Sequence, residues 1–319
     1  MFFPHVIHRI LRFFGYEKAP TAGTFSKTAQ TYTQQVAVFQ NRGLIVLNPA
    51  FAEHCLAHCN YYRLSAYQYP FLATTTLKTF RPGVHFEEMW ELYQFDRELR
   101  RLINESAKRV EISVRSRWAY ELGHIYGPLA YATPAHFRKP KEYKRTLQTI
   151  EKEIARSREE FIAHFKTNYG MSHPPIWAVC EVMSFGNVSK MYSLLAKDAD
   201  RKRIASAYGL SQEVFGSLLH HLTYIRNLCA HHSRVWNRRM VFTIELPKKG
   251  PPDLVASLNT SARHKIYNTL VLLAYMRSII EPTSTWPGDV RALVTAQPAH
   301  VPVGMGFPAN WATLPIWKP

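Results

Sequence analysis

Residues 87–126, EEMWELYQFDRELRRLINESAKRVEISVRSRWAYELGHIY, carry Trp90, Tyr93, Leu99, Leu102, Ile103, Val110 and Val114 at helical spacing. An apolar stripe of that length reads as one long helix or two abutting ones. Moving outward from it, the same period dominates, and the chain is expected to be all-α with at most one minor β-hairpin.

On the C-terminal side, KPKEYKRTLQTIEKEIARSREEFIAHFK (139–166) reads as a charged amphipathic helix with Leu147, Ile150, Ile154, Phe161 and Phe165 turned inward. Its charges form a solvated face or, on the alternative reading, a binding surface. Pro174-Pro175 then opens IWAVCEVMSFGNVSKMYSLL (176–195), a helix with Gly186 inside it. SQEVFGSLLHHLTYIRNLCAHHSRVW (211–236) starts at Ser211, a suitable N-cap, and keeps the period through Val214, Leu218, Leu222 and Ile225. MVFTIEL (240–246) is the one strand-like run, ended by KKGPPD, and HKIYNTLVLLAYMRSII (264–280) is a last apolar helix.

On the N-terminal side, TTTLKTFRPGVHF (74–86) reads as a loop turning at Pro82-Gly83. FAEHCLAHCNYYRLSAYQYPF (51–71) reads as a helix closed by Pro70, and TYTQQVAVFQNRGLIV (31–46) as one stopping at Gly43. The expected organisation is a leader helix and linker (1–25), a small helical subdomain (26–72), a helical core (80–282) and a Pro-rich tail (283–319).

With 319 residues, 46% of them hydrophobic, the chain can bury a full core. Its 40 Lys and Arg against 23 Asp and Glu leave +17. Such an excess favours a polyanion, because each phosphate contacted releases condensed counterions. Membrane surfaces attract the same charge. The four cysteines, Cys55, Cys59, Cys180 and Cys229, show no disulfide framework, which suits a reducing cytoplasm. The start, MFFPHVIHRILRFFGYEKAP, interrupts its apolar residues with His5, His8, Arg9 and Arg12 and lacks the unbroken core of a signal peptide. No run approaches the 18 or so apolar residues of a membrane span, so no membrane role is expected.

Chemistry concentrates in Arg226-Asn227-Leu228-Cys229-Ala230-His231-His232. RNA cleavage without a metal needs a group to take the 2′-OH proton, a group to protonate the leaving 5′-oxygen, and a cation for the charge growing on phosphorus. Histidine titrates near neutrality, and arginine stays charged while gripping two phosphate oxygens. Asn227 and His231 lie four apart on one helical face, which Thr223 and His220 extend backward. Arg226 flanks this polar line, beside the apolar line of Leu218, Leu222 and Ile225.

Arg226, Asn227 and His231 match position for position the HEPN ribonuclease motif, and the wider chain resembles the Abi-like family of bacterial abortive-infection proteins, of the AbiD/AbiF type. The resemblance is carried by NRGLIV (41–46), NYYRLSAYQYPF (60–71), FRPGVHFEEMWELYQFDRELR (80–100), RVEISVRS (109–116), PPIWAVCEVMSFGNVSK (174–190), YIRNLCAHHSRVWNR (224–238), IYNTLVLLAYM (266–276) and MGFPANW (305–311). It implies a HEPN-like helical bundle and a toxin-like, anti-phage ribonuclease that cuts RNA by 2′-OH attack. It also implies a homodimer with a composite site, and a small non-coding RNA as a possible regulator. The competing expectation is a non-catalytic RNA-binding protein that docks such a regulatory RNA.

Under that resemblance His231 transfers protons and Asn227 orients, while His232 either contacts phosphate or only closes the helix. Glu111 and Arg115, four apart, support the site or form an ordinary ion pair. Glu181 and His220 are further supporting candidates. Tyr61, Tyr62 and Arg63, an aromatic-basic cluster, suit unpaired bases or else line the core, and Arg234 is a further RNA contact. Arg117 and His124 make a looser echo of the motif. His54-Cys55-x-x-His58-Cys59 looks like metal-ligand spacing, but four ligands on one continuous helix cannot surround a tetrahedral ion. With no HExxH pattern, Gly-rich phosphate loop or GxSxG elbow, neither a metal nor a cofactor is expected.

Overall fold

A computed structural model describes residues 28–318; the leader expected over 1–25 lies outside them. The described residues hold fourteen α-helices, short 3-10 turns and one two-stranded antiparallel sheet, β1 (Leu72–Thr74) with β2 (Thr79–Phe80). The fold is all-α with a minor hairpin. It divides into two compact units, one running up to Ser65 and resuming over Phe71–Glu87, the other comprising Ala66–Pro70 and everything from Glu88 onward.

The first unit contains α1 (Tyr32–Gln40), α2 (Pro49–Cys59), α3 (Tyr61–Ser65) and the hairpin. Thr31 opens α1 with a capping box, exchanging bonds with Gln34, and Gly43 takes the left-handed backbone (φ +90) that turns the chain beyond it. The core centres on Phe39, whose ring stacks on Tyr61 and meets Phe80 and Phe86 edge-on. The single helix expected over 51–71 breaks at Asn60, which sits at φ +62 and accepts from the Tyr62 amide. Asparagine tolerates that conformation because its short side chain bonds the local backbone.

The second unit is organised by α4 (Phe86–Tyr126), a single uninterrupted helix of 41 residues that enters it at Glu88. Around it come α5 (Pro140–Arg156), α6 (Glu160–Tyr169), α7 (Ile176–Val182), α8 (Phe185–Leu194), α9 (Asp198–Ser206), α10 (Gln212–Ala230), α11 (Pro252–Ser257), α12 (Tyr267–Ile280), α13 (Trp286–Thr295) and α14 (His300–Met305). Helix α12 is buried on nearly every side from Tyr267 to Arg277, as a helix apolar all round must be. The segment 283–318 is folded, with Trp286 and Trp317 sunk in the core and the Trp286 indole donating to the Leu102 carbonyl at 2.9 Å.

Two expected helices are each split by a serine. Ser157 takes extended backbone and separates α5 from α6, so Ile162 takes the buried place and Phe161 stays exposed, contrary to the inward position expected for it. Ser184 accepts from the Asn187 amide and restarts the chain as α8. The strand-like run 240–246 forms no strand, a further correction. Its amides find other partners, Met240 on the His264 carbonyl at 2.8 Å and Glu245 on the Ser217 hydroxyl at 2.9 Å, while Met240, Ile244 and Leu246 are buried. Alternation there reflects one buried face without a second strand to pair.

Candidate functional site

Helix α10 begins as its sequence dictates, with the Ser211 hydroxyl accepting from the Val214 amide, and it ends inside the Arg-Asn-x-x-x-His-His stretch. Ala230 is its last helical residue and His231 its C-cap. His232 follows with left-handed backbone, φ +54. The His232 amide donates to the Cys229 carbonyl at 3.0 Å and the Ser233 amide to the Leu228 carbonyl at 2.9 Å. Those two bonds make a Schellman closure, in which the left-handed place is usually taken by glycine. Asn227, His231 and His232 are all exposed at this end.

What fixes the chain as it leaves the helix is Asp96 on α4. Its carboxylate is fully buried and accepts the amides of Val235 (3.2 Å) and Trp236 (2.7 Å), the Tyr67 hydroxyl (2.6 Å) and the Arg100 guanidinium. Burial beside that carboxylate pushes the Tyr67 phenol far above its ordinary range. A buried ion pair is weak evidence for stability; what this carboxylate holds in place is the path of residues 235–236. Asp96, Arg100 and Tyr67 were not among the sequence candidates. The signal for them was present, since Leu92, Asp96, Leu99, Arg100 and Ile103 share the buried face of α4, and charges on such a stripe require partners.

Arg226 emerges from the last turns of α10 with 41% of its side chain exposed, and its Nε lies 3.8 Å from Glu111 Oε2. Glu111, almost buried on α4, also holds Arg115 one turn along the same helix. Arg115 Nη1 in turn donates to the Glu181 backbone carbonyl at 2.8 Å, at the C-terminal end of α7. The half-exposed Arg226–Glu111 contact adds well under about 1 kcal/mol. Its consequence is orientation: one carboxylate from α4 holds two guanidiniums, and the outer one keeps free edges toward solvent. Arg226 Nη1 also reaches Asn227 Oδ1 at 3.5 Å, a long contact.

The remaining candidates take varied places. His220 is exposed, its ring edge-on to Phe242 at 4.7 Å. Glu181 offers Arg115 its backbone, and it is Glu111 that faces Arg226. Tyr61, Tyr62 and Arg63 belong to the first unit: the Tyr61 hydroxyl accepts from Arg42 at 3.0 Å and its ring stacks on Phe39, whereas Tyr62 is 80% exposed. Arg234 stands with Arg239 near Lys265, whose pKa is lowered by burial and by those two arginines. Burial, with the Asp96 carboxylate nearby, pushes the Cys229 thiol up to about 12, so it remains protonated. Among the described residues no three His, Cys, Asp or Glu side chains gather as a metal set, and no helix is long and apolar enough to cross a membrane.

A family model described as Abi-like protein matches residues 54–237, more than half of the chain. The matched span contains α4, α10 and the whole 226–232 stretch, and it stops short of the similar blocks at 266–276 and 305–311. No curated protein and no solved structure matches significantly.

Proposed function

The chain belongs to the Abi-like protein family, and on that premise we propose that it is a metal-independent endoribonuclease of a bacterial abortive-infection system. The observation that carries this reading is the helix end described above: an oriented, partly exposed Arg226 and an exposed His231 on one terminus of α10. Arg226 takes two oxygens of the scissile phosphate and stabilises the phosphorane, replacing the charge a metal would supply. His231 moves the proton of the attacking 2′-OH or of the leaving 5′-oxygen. Asn227 orients the guanidinium or the phosphate, Glu111 with Arg115 buttresses it, and His232 turns the chain so that His231 stays on the outside.

In-line attack needs a base and an acid on opposite sides of phosphorus, and one imidazole cannot stand in both places. A homodimer that brings two α10 ends together supplies both. The products are a 2′,3′-cyclic phosphate and a 5′-hydroxyl, and the site of action is the cytoplasm.

The test uses the purified full chain with mixed-sequence single-stranded RNA in excess EDTA. Wild type is expected to release fragments ending in 2′,3′-cyclic phosphate, and His231→Ala none. Cleavage by His231→Ala in preparations free of contaminating nuclease removes His231 from the mechanism.

The alternative, an RNA-binding protein that docks a small regulatory RNA without cutting it, draws on Arg234, Arg239 and Lys265, a cluster in which burial first and the two arginines second disfavour the charged form of Lys265. A phosphate relieves that repulsion. On this reading RNA binds with a steep salt dependence, losing about 0.9 in log-log slope per phosphate contact, and stays intact.

A further inference from the structure

A cleft of about 440 Å³ opens on the second unit, walled by Ser116, Tyr120, Gly123 and His124 of α4 and by Trp177 and Glu181 of α7. Its volume falls in the range of small-molecule sites. Two large rings stand at it half in solvent, Trp177 at 54% and Tyr120 at 57% exposure. His124 lies against Tyr120 with ring centroids 4.1 Å apart, and its Nδ1 donates to the Tyr120 carbonyl at 2.8 Å. Gly123 leaves room: a Cβ there would stand 3.4 Å from Ile176 and 3.7 Å from the Trp177 indole. Glycine inside a helix weakens it, and the space it provides is part of the cleft.

The cleft adjoins the chain of charges already described. Glu111, Arg115, Ala119 and Gly123 are each four apart and share one face of α4. The first two hold Arg226 and the Glu181 carbonyl, and the last two line the cleft. We propose that this cleft receives an unpaired, amino-bearing nucleobase of an RNA strand, stacked on Trp177 and Tyr120, beside the phosphate taken by Arg226. It rests on the ribonuclease reading for the identity of that phosphate and on the cleft itself for the base. Stacking on aromatic faces is how single-stranded RNA is held without reading its sequence. Glu181 adds a preference: a carboxylate accepts hydrogen bonds only, so it favours the exocyclic amine of cytosine, adenine or guanine over the carbonyl oxygens of uracil. The excess of basic residues, +17 over the chain, favours a nucleic acid over an apolar protein segment as occupant.

Calorimetry on the full chain with CMP and UMP as probes tests the cleft, and RNA cleavage by the same preparations is followed separately. CMP is expected to bind at least about ten-fold tighter than UMP. Trp177→Ala should weaken CMP by about five- to a hundred-fold, the range for loss of one stacking face. Ser116→Phe fills the cleft from an exposed position and should have a similar effect, while Glu181→Gln should bring CMP and UMP within about three-fold of each other. Unchanged CMP affinity in both Trp177→Ala and Ser116→Phe overturns the proposal, and so does a Trp177→Ala variant whose only change is dissociation of a dimer. Absence of RNA cleavage alongside Trp177-dependent CMP binding removes the catalytic reading and upholds the cleft. Cleavage at an unaltered rate and base preference in Trp177→Ala does the reverse.

Discussion

Two histidine doublets lie along α10 and its exit, His220–His221 in the middle of the helix and His231–His232 at the C-cap and one residue past it, eleven residues apart. Eleven residues make about three turns, so on a continued helix each member of one doublet would have a counterpart at nearly the same angle in the other. The first members, His220 and His231, are both exposed, but the second members differ. His221 is buried, its Nδ1 on the Phe242 carbonyl at 2.7 Å and its Nε2 on the Thr269 hydroxyl of α12 at 2.8 Å. Burial pushes its pKa down to about 4, so the ring is neutral. His232, by contrast, is exposed, where the helix has ended and the backbone has turned. A histidine's role on this helix is set by what packs beside it at that height, and the angular face alone does not decide it.

The widest separation should appear when the doublets are truncated one ring at a time. His231→Ala is expected to lower RNA cleavage by about 10²–10⁴-fold, the contribution of positioned proton transfer, with a urea midpoint close to wild type. His221→Ala should do the opposite. It strands the buried Thr269 hydroxyl and the Phe242 carbonyl and costs roughly 2–4 kcal/mol in urea unfolding, while the folded fraction keeps its specific activity. Loss of activity in His221→Ala at unchanged stability contradicts the division drawn here.

Acid sharpens the same contrast by a smaller amount. An unfolded histidine titrates near 6.5, whereas folded His221 resists protonation down to about 4. Between those values the unfolded chain binds a proton that the folded chain refuses. The stability from the neutral ring is therefore complete above about pH 6.5 and lost as pH falls toward about 4, by up to about 3 kcal/mol. Unfolding free energies of wild type and His221→Gln measured from pH 7.5 to 4.5 should converge toward the acid end. Parallel curves exclude His221 as the group responsible.

How much of this could be read from the sequence varies with the range of the interaction. Ser211 as the start of α10, the stripe of α4 and the apolar α12 follow from local patterning, and all three stand as expected. The breaks at Asn60, Ser157 and Ser184 went unread because a polar residue within a periodic run is also an ordinary helical residue. In the site, the candidates on one helix were legible as spacing, namely Arg226, Asn227 and His231. Of the groups around them, Glu111 was legible as a supporting candidate on the strength of the family resemblance, whereas Asp96 went unread, because it reaches the exit of α10 from another helix more than a hundred residues earlier in the chain. Glu181 was chosen for being acidic near the core, yet its backbone carbonyl is what binds Arg115.

The smallest effect concerns the one member of the end doublet whose backbone is unusual. His232 holds φ +54 at the place where a Schellman closure usually has glycine. For a residue with a Cβ the left-handed conformation costs roughly 1 kcal/mol, and glycine avoids it while adding unfolded-state entropy of similar size. His232→Gly should accordingly unfold within about 1 kcal/mol of wild type and keep α10's last turn. If His232 serves to aim His231, glycine reproduces the turn, and cleavage should stay within about three-fold. His232→Ala keeps the strain and discards the ring, so it should be the less stable of the two. A hundred-fold loss of cleavage in both variants, at wild-type stability, would instead make the His232 imidazole a contact of the substrate phosphate and the end doublet a pair of working rings.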